Sequence, residues 1–412
     1  MYLNHREQAG RQWSGLHCMD DMVKGDKSIR HGKSHDLWNA EGPVSGYRPH
    51  GGLSGSRAAS IVEAVQSVVK RAAKLHSPLI GKSESMAVKC AVQMGAVTHG
   101  PHVERFEQAI VGCTGAKYAV ALSSGTAALH LSLLSVGIKP GDHVALPGFT
   151  FVAVANAVRY CGATPVFIDC DKYGSLSPVC LNDWLRHNHV EAVIAVHNFG
   201  HLCDIEEICK IGEKHSIPVI EDAAQALGAI TKINGHTATI SFNGNKTITT
   251  GGGGMVLTDD ERTAERIRTL ATVSKIEVPH SFWHSDVGFN YRMPNMNAAL
   301  GLAQMDNLPD ILKRKRRINY AYHKAFEGTG YAAILKTVRP TNHWLNAVVV
   351  RDEHLRHEVI LLLNGVGIES RLSWTPLNLM PMYQNNPRDD LETTMRLANS
   401  IINVPSGPGI CS

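Results

Sequence analysis

The chain has 412 residues, a formal net charge of +4, 43% hydrophobic residues and 19% charged ones. That length suits a large domain plus a smaller one, and the composition is that of a folding chain. So mild a charge argues against nucleic acid or a membrane surface as partner. Nine cysteines are scattered without a C-x-x-C pair. This is neither a zinc frame nor a thioredoxin motif, and it reads as reduced thiols in a cytoplasmic protein. No apolar run approaches the ~20 residues of a membrane span. The opening MYLNHREQAGRQW is too polar for a signal peptide.

Residues 1–57 show no apolar period and are expected to form a poorly ordered extension. From Arg57 on, Ile61, Val65, Val68, Val69 and Ala72 share one helical face and predict the first helix. A second amphipathic segment, 103–111, groups Val103, Phe106 and Ile110. Short apolar runs at 118–122, 143–147, 164–169, 191–196 and 217–222 then alternate with helical periods at 126–136, 152–160, 177–186 and 205–215. The alternation predicts an α/β fold, with a mostly parallel sheet covered by helices on both faces.

After Asp259, helices are expected over 260–271, 295–308 and 312–326, strands over 345–350 and 367–371, and a helix over 391–401. The basic run Lys313-Arg314-Lys315-Arg316-Arg317 reads as a solvated helix face. The expected organisation is an extension (1–57), a large domain with N-terminal helices (58–290) and a small C-terminal α+β domain (291–412).

In open α/β sheets, ligands gather at the carboxyl ends of strands. The first such end, Ser123-Ser124-Gly125-Thr126, opens a helix and offers a phosphate site or a plain N-cap. The second carries Phe149 and Phe151, each a candidate for stacking on a flat cofactor or for the core. Further on, Glu221 and Asp222 end an apolar strand, where a carboxylate suits a pyridine nitrogen or caps the next helix. His197 and His201 have metal-pair spacing, but Gly200 interrupts any helix and no third ligand follows, so metal is discounted. Last comes Lys246, between a Ser-Phe pair and a run of four glycines, a candidate for Schiff-base chemistry with pyridoxal phosphate or a surface lysine in a hairpin. The four features occur in the order a pyridoxal site requires.

The segments SGTAALHL, PGFTFVAVANAV, PVIEDAAQALGA, SFNGNKTITTGGGGM and VGFNYRMPNMNAALG resemble the DegT/StrS-type sugar aminotransferases over about residues 61–408. The resemblance implies PLP fold type I, the aspartate aminotransferase-like fold. It implies Lys246 as the lysine bonded to pyridoxal 5'-phosphate, Asp222 as partner of the ring nitrogen, Phe151 stacked on the ring and Gln225 near its phenolic oxygen. Gly125, Thr126 and Ser241 match phosphate ligands. Asn290 matches a residue that reaches the neighbouring subunit's phosphate, which implies a homodimer with shared active sites.

HSDVGFNYRMPN, WLNA at 344–347 and SWTPLNLMPMY at 373–383 look most like the legionaminic-acid-pathway branch of nucleotide-sugar 4-aminotransferases. That branch implies a nucleotide-sugar substrate, UDP-4-keto-6-deoxy-N-acetylhexosamine, with glutamate as amino donor. The connection 229–240 is shorter than the family's usual one and bears on where Lys246 comes to rest. His201 stands where many relatives outside this branch have Gln, a difference that bears on sugar selectivity or on nothing. The rival readings are a dehydratase of the same fold, which has histidine in place of the lysine, and a non-catalytic scaffold.

Overall fold

Seven strands form the larger sheet: β1 (Tyr118–Leu122), β2 (His143–Pro147), β3 (Thr164–Ile168), β4 (Ala192–Val196), β5 (Val219–Asp222), β6 (Thr237–Ser241) and β7 (Gly254–Thr258). They pair in the order β1-β7-β6-β5-β4-β2-β3 in a computed structural model that describes residues 54–410. Pairing is parallel from β6 through to β3, and β7 runs antiparallel to both neighbours. The expected mostly parallel α/β sheet is therefore present, with one reversed strand.

The strands are apolar on both sides because helices cover both faces. Val144 and Leu146 of β2 pack with α4 (Gly125–Ser135) and α5 (Ala153–Tyr160), through Leu129, Leu133, Val154 and Val158. Ala145, between them, faces α6 (Pro178–Leu185) and α7 (Ile205–His215) on the other side. Helices α1 (Ser54–Val68), α2 (Lys82–Gln93) and α3 (His102–Thr114) precede the sheet, and α8 (Glu261–Ala271) follows it. The extension read over 1–57 lies outside the described residues, except that its end opens α1.

Beyond α8 come a hairpin, β8 (Lys275–Val278) with β9 (Ser281–His284), and a long helix, α9 (Asn295–Phe326). Then β10 (Ala332–Ile334), β11 (Asn346–Val350), α10 (Glu353–Gly365), β12 (Arg371–Leu372), α11 (Glu392–Ser400) and β13 (Ile401–Val404) build a second sheet, antiparallel in the order β10-β11-β13-β12. The boundary expected at residue 290 falls shortly before α9. However, α1 packs on this smaller sheet, Ile61 and Val65 sharing a core with Ile318, Val348 and Ile402.

Four local expectations differ from the structure. Residues 295–308 and 312–326 are one helix that runs through Pro309. Leu308, Ile311, Ile318 and Tyr322 keep one buried face across the proline, and that packing outweighs a helix-interior cost of ~3 kcal/mol. Within the basic run, Lys315 is wholly buried rather than solvated, because it lies on that same face. Of the strand expected over 367–371, only Arg371 joins the sheet; Ile368 instead bridges Ala73, after the left-handed turn at Gly367 (φ +78°). The helix expected over 391–401 ends at Ser400, and Ile401 begins β13 at once because β11 and β12 flank it.

Among the described residues, no helix is long and apolar enough to cross a membrane, and no cluster of His, Cys, Asp or Glu could hold a metal ion.

Candidate active site

The carboxyl ends of β1, β2, β5 and β6 surround one cavity of about 360 Å³. Gly125, Thr126, Phe151, Asp222, Gln225, Ser241 and Lys246 all line it. Asn290 does not; it is exposed and bridges Thr272 by backbone pairing.

One wall is the start of α4. Ser124 caps the helix, its Oγ accepting from Ala127 N at 3.1 Å. The helix is buried on nearly all sides, and Ser124, Gly125 and Thr126 at its N-terminus line the cavity. Such an end attracts phosphate. The cradle is tight: a Cβ on Gly125 would lie 2.8 Å from Ser241 Cβ, and one on Gly254 would collide with the carbonyl of Ser124.

Phe149 and Phe151 leave β2 together and part company. Phe149 is in the core, whereas Phe151 is 52% exposed at the cavity and free to cover a flat ligand.

Glu221 and Asp222 likewise take opposite sides of β5, as alternation requires. Glu221 is buried away from the cavity, accepting from Asn234 N (2.7 Å) and Gly235 N (2.8 Å) and lying 3.1 Å from His197 Nε2. This clamps the short connection before β6, which enters in parallel register with Ile220 opposite Thr237. Asp222 is 4% exposed and lines the cavity; Ala224 N donates to its Oδ1 at 2.9 Å. Burial raises its pKa. No helix follows it to cap.

His197 is a satisfied core histidine: its Nδ1 accepts from Cys203 N at 3.1 Å. His201 is buried beside Phe199 and does not line the cavity. Gln225 accepts from Phe199 N at 2.7 Å through its Oε1, leaving its amide nitrogen to donate elsewhere.

Lys246 sits in the loop between β6 and β7, where its backbone N donates to Asn243 O at 3.0 Å. Its Nζ lies 4.4 Å from the Trp344 ring centroid. Burial lowers its pKa to about 8, with Asp222 opposing the shift and Arg371 adding to it. The amine is therefore neutral in a useful fraction near neutrality, as a nucleophile or base requires.

Sequence reasoning assigned no role to Trp344, Arg371 and Trp374, which come from the second sheet and line the same cavity. The signal available was the pair of segments WLNA and SWTPLNLMPMY. Trp344 Nε1 donates to Asn245 O at 2.7 Å, next to the lysine. Asn342 ties the same region: its Nδ2 donates to Gln225 O (2.8 Å), Leu227 O (2.9 Å) and Thr247 Oγ1 (3.1 Å).

Residues 78–412 match the model of the DegT/DnrJ/EryC1/StrS aminotransferase family. The chain is 35% identical over 342 residues to the GDP-perosamine synthase of Caulobacter vibrioides, covering 81% of this chain and 92% of that one. It is also 35% identical to the UDP-4-amino-4-deoxy-L-arabinose--oxoglutarate aminotransferase of Shewanella sediminis, over 75% of this chain and 84% of that one. Among solved structures, Helicobacter pylori PseC, an aminotransferase involved in pseudaminic acid biosynthesis, superposes with a TM-score of 0.78 at 22% identity, covering 82% and 95% of the two chains. The chain thus belongs to the DegT/DnrJ/EryC1/StrS aminotransferase family and is a pyridoxal phosphate-dependent aminotransferase of fold type I.

Proposed function

We propose that the protein transfers an amino group from glutamate to the keto carbon of a nucleotide-linked keto-deoxy sugar, with Lys246 as catalytic base. The observation that carries the reading is that Lys246, Asp222 and Phe151, far apart in sequence, line one cavity beside the α4 N-terminus. The cavity fits pyridoxal phosphate. Gly125, Thr126 and Ser241 line it beside the N-terminus of α4, where a phosphate is favoured, Phe151 offers an uncovered ring face, and the buried Asp222 carboxylate calls for a cationic partner. When bound, that cofactor supplies a ring that accepts the charge released when a C–H bond beside nitrogen breaks.

This chain's own residues do the rest. Gly125, Thr126 and Ser241 hold the phosphate. Asp222 holds a proton on the ring nitrogen, Phe151 covers the ring, and Gln225 donates toward its phenolic oxygen. Lys246 Nζ takes the proton from the donor's Cα and later delivers one to the sugar carbon that receives nitrogen. Arg371, which lines the cavity, meets the donor's carboxylate.

The sugar proposed is UDP-4-keto-6-deoxy-N-acetylhexosamine, for amino-sugar and surface polysaccharide biosynthesis of the legionaminic acid type in the cytoplasm. The motifs at 284–295, 344–347 and 373–383 support this choice, and "oxoglutarate" in the name of the Shewanella sediminis relative supports glutamate as donor. A homodimer with shared sites is part of the proposal: Asn290 is exposed and free to reach a second copy, and the nearby hairpin exposes Phe282 (83%) and Trp283 (60%).

The test is incubation of the loaded protein with glutamate and a panel of UDP-, GDP- and dTDP-linked 4-keto and 3-keto sugars, with products read by mass spectrometry. The reading expects amination of the UDP-linked 4-keto N-acetyl sugar. Amination of a GDP-linked sugar alone overturns the substrate assignment, and amination of none overturns the activity.

A further inference from the structure

Lys315, at the centre of the basic run on α9, has no exposed surface. Its Nζ donates to Trp344 O (3.1 Å) and Ser406 O (3.0 Å) and stands 3.1 Å from His76 Nε2. Among the described residues its partners include no carboxylate, and burial lowers its pKa to about 7. A buried cation held by two carbonyls and an imidazole is costly, and an apolar side chain of similar length would meet a packing requirement at less cost. The carbonyls show what the charge is used for. One belongs to Ser406, whose Oγ accepts from Asn346 N (2.8 Å) and so anchors the start of β11. The other belongs to Trp344, the residue that closes on the lysine loop through Asn245 O and carries the ring beneath Lys246 Nζ.

We propose that Lys315 is a positioning residue for Lys246: by fixing the Trp344 carbonyl from behind, it sets the indole that holds Asn245 and seats the Lys246 amine. The effect on turnover rests on the role proposed for Lys246 above; the seating of the amine does not. Lys315 touches neither cavity nor substrate, so its loss acts through geometry, where a displacement of ~1 Å costs up to ~10²-fold in rate.

The experiment uses the full-length protein freed of cofactor. Labelling of Lys246 by trinitrobenzenesulfonate is followed by peptide mass spectrometry in wild type, K315M, K315R and W344F. The proposal expects the Lys246 labelling rate to change at least ~5-fold in K315M and in the same direction in W344F, with K315R within ~2-fold of wild type. In loaded protein, kcat should fall about tenfold in K315M while KM for the nucleotide sugar stays within ~2-fold. A K315M protein that melts earlier yet labels at the wild-type rate reduces Lys315 to a structural role and overturns the proposal. Should K315M fail to fold, W344F decides: an unchanged Lys246 rate in that variant overturns the route through Trp344 on which the proposal stands. Because labelling needs neither cofactor nor sugar, a wrong substrate assignment leaves this outcome untouched.

Discussion

Lys246 Nζ stands 4.4 Å from the centre of the Trp344 ring, which joins a loop of the seven-stranded sheet to the approach of β11 in the smaller sheet. The contact keeps the amine off bulk water while an aromatic face compensates part of its charge. Burial is the larger influence, and it leaves the group with a pKa of about 8. The pH profile of Lys246 labelling in cofactor-free protein should therefore have its midpoint near 8, well below that of exposed lysines. Asp222→Asn, which removes the nearby anion, should move the midpoint lower still. A midpoint above 10 would mean that the amine is solvated.

The phosphate cradle yields a steric prediction. Gly125→Ala places a methyl group 2.8 Å from Ser241 Cβ. One of the two walls must shift, at a cost of ~1–3 kcal/mol. Pyridoxal phosphate affinity, measured by titration of cofactor-free protein, should weaken by about tenfold or more, with a smaller change in Tm of the empty protein. Unchanged affinity would move the phosphate elsewhere.

Arg371 offers a charge prediction. Arg371 lines the cavity, and burial lowers its pKa against the opposing charge of Glu369. Arg371→Gln should raise KM for glutamate by about tenfold to a hundredfold, the value of one charge-assisted pair, while an amine donor without a carboxylate is little affected. Equal losses for both donors would assign Arg371 to the sugar or to structure.

The half-buried Lys246 and the fully buried Lys315 make the stability of the empty protein depend on pH. Lys246 titrates at about 8 and Lys315 at about 7 in the folded chain, against 10.5 when unfolded. Above pH 7 the unfolded chain therefore holds more protons at these groups, and they contribute a rise in stability with pH, opposed by His197, whose folded pKa of about 10 makes the folded chain hold the extra proton there. The lysine contribution lies between about pH 7 and 9. Above that range the thiols of Cys161, Cys170 and Cys209, which burial holds up at about 12, join His197 in lowering stability as pH rises, because the folded chain then binds the extra protons. Denaturant titrations at pH 7, 8 and 9 check the sign of the lysine contribution as the difference between wild type and Lys315→Met. The slope should be less positive in Lys315→Met.

Much of the large sheet was legible because β1 to β5 are short and apolar except at their ends, where His143, Thr164, Glu221 and Asp222 stand, a pattern that suits strands buried on both faces. The same regularity located Asp222 and Phe151, since residues that follow such strands share one edge. Trp344, Arg371 and Trp374 were not assigned there because they arrive from a sheet built much later in the chain, and local periodicity carries no information about which edge meets which. Lys315 was misread for a related reason. Five consecutive basic residues look solvated, and only the packing of α9 against β11 and the tail after β13 shows that the middle one points inward. Pro309 marked an end to the helix by local chemistry, and tertiary packing overrode it.

The central claim is that Lys246 is the lysine that carries the cofactor. Loading the protein with pyridoxal phosphate, reducing it with borohydride and mapping the peptides tests this directly. The account predicts one phosphopyridoxyl addition, on the peptide containing Lys246, and its loss in Lys246→Arg. An addition on any other lysine, or none at all, would contradict it.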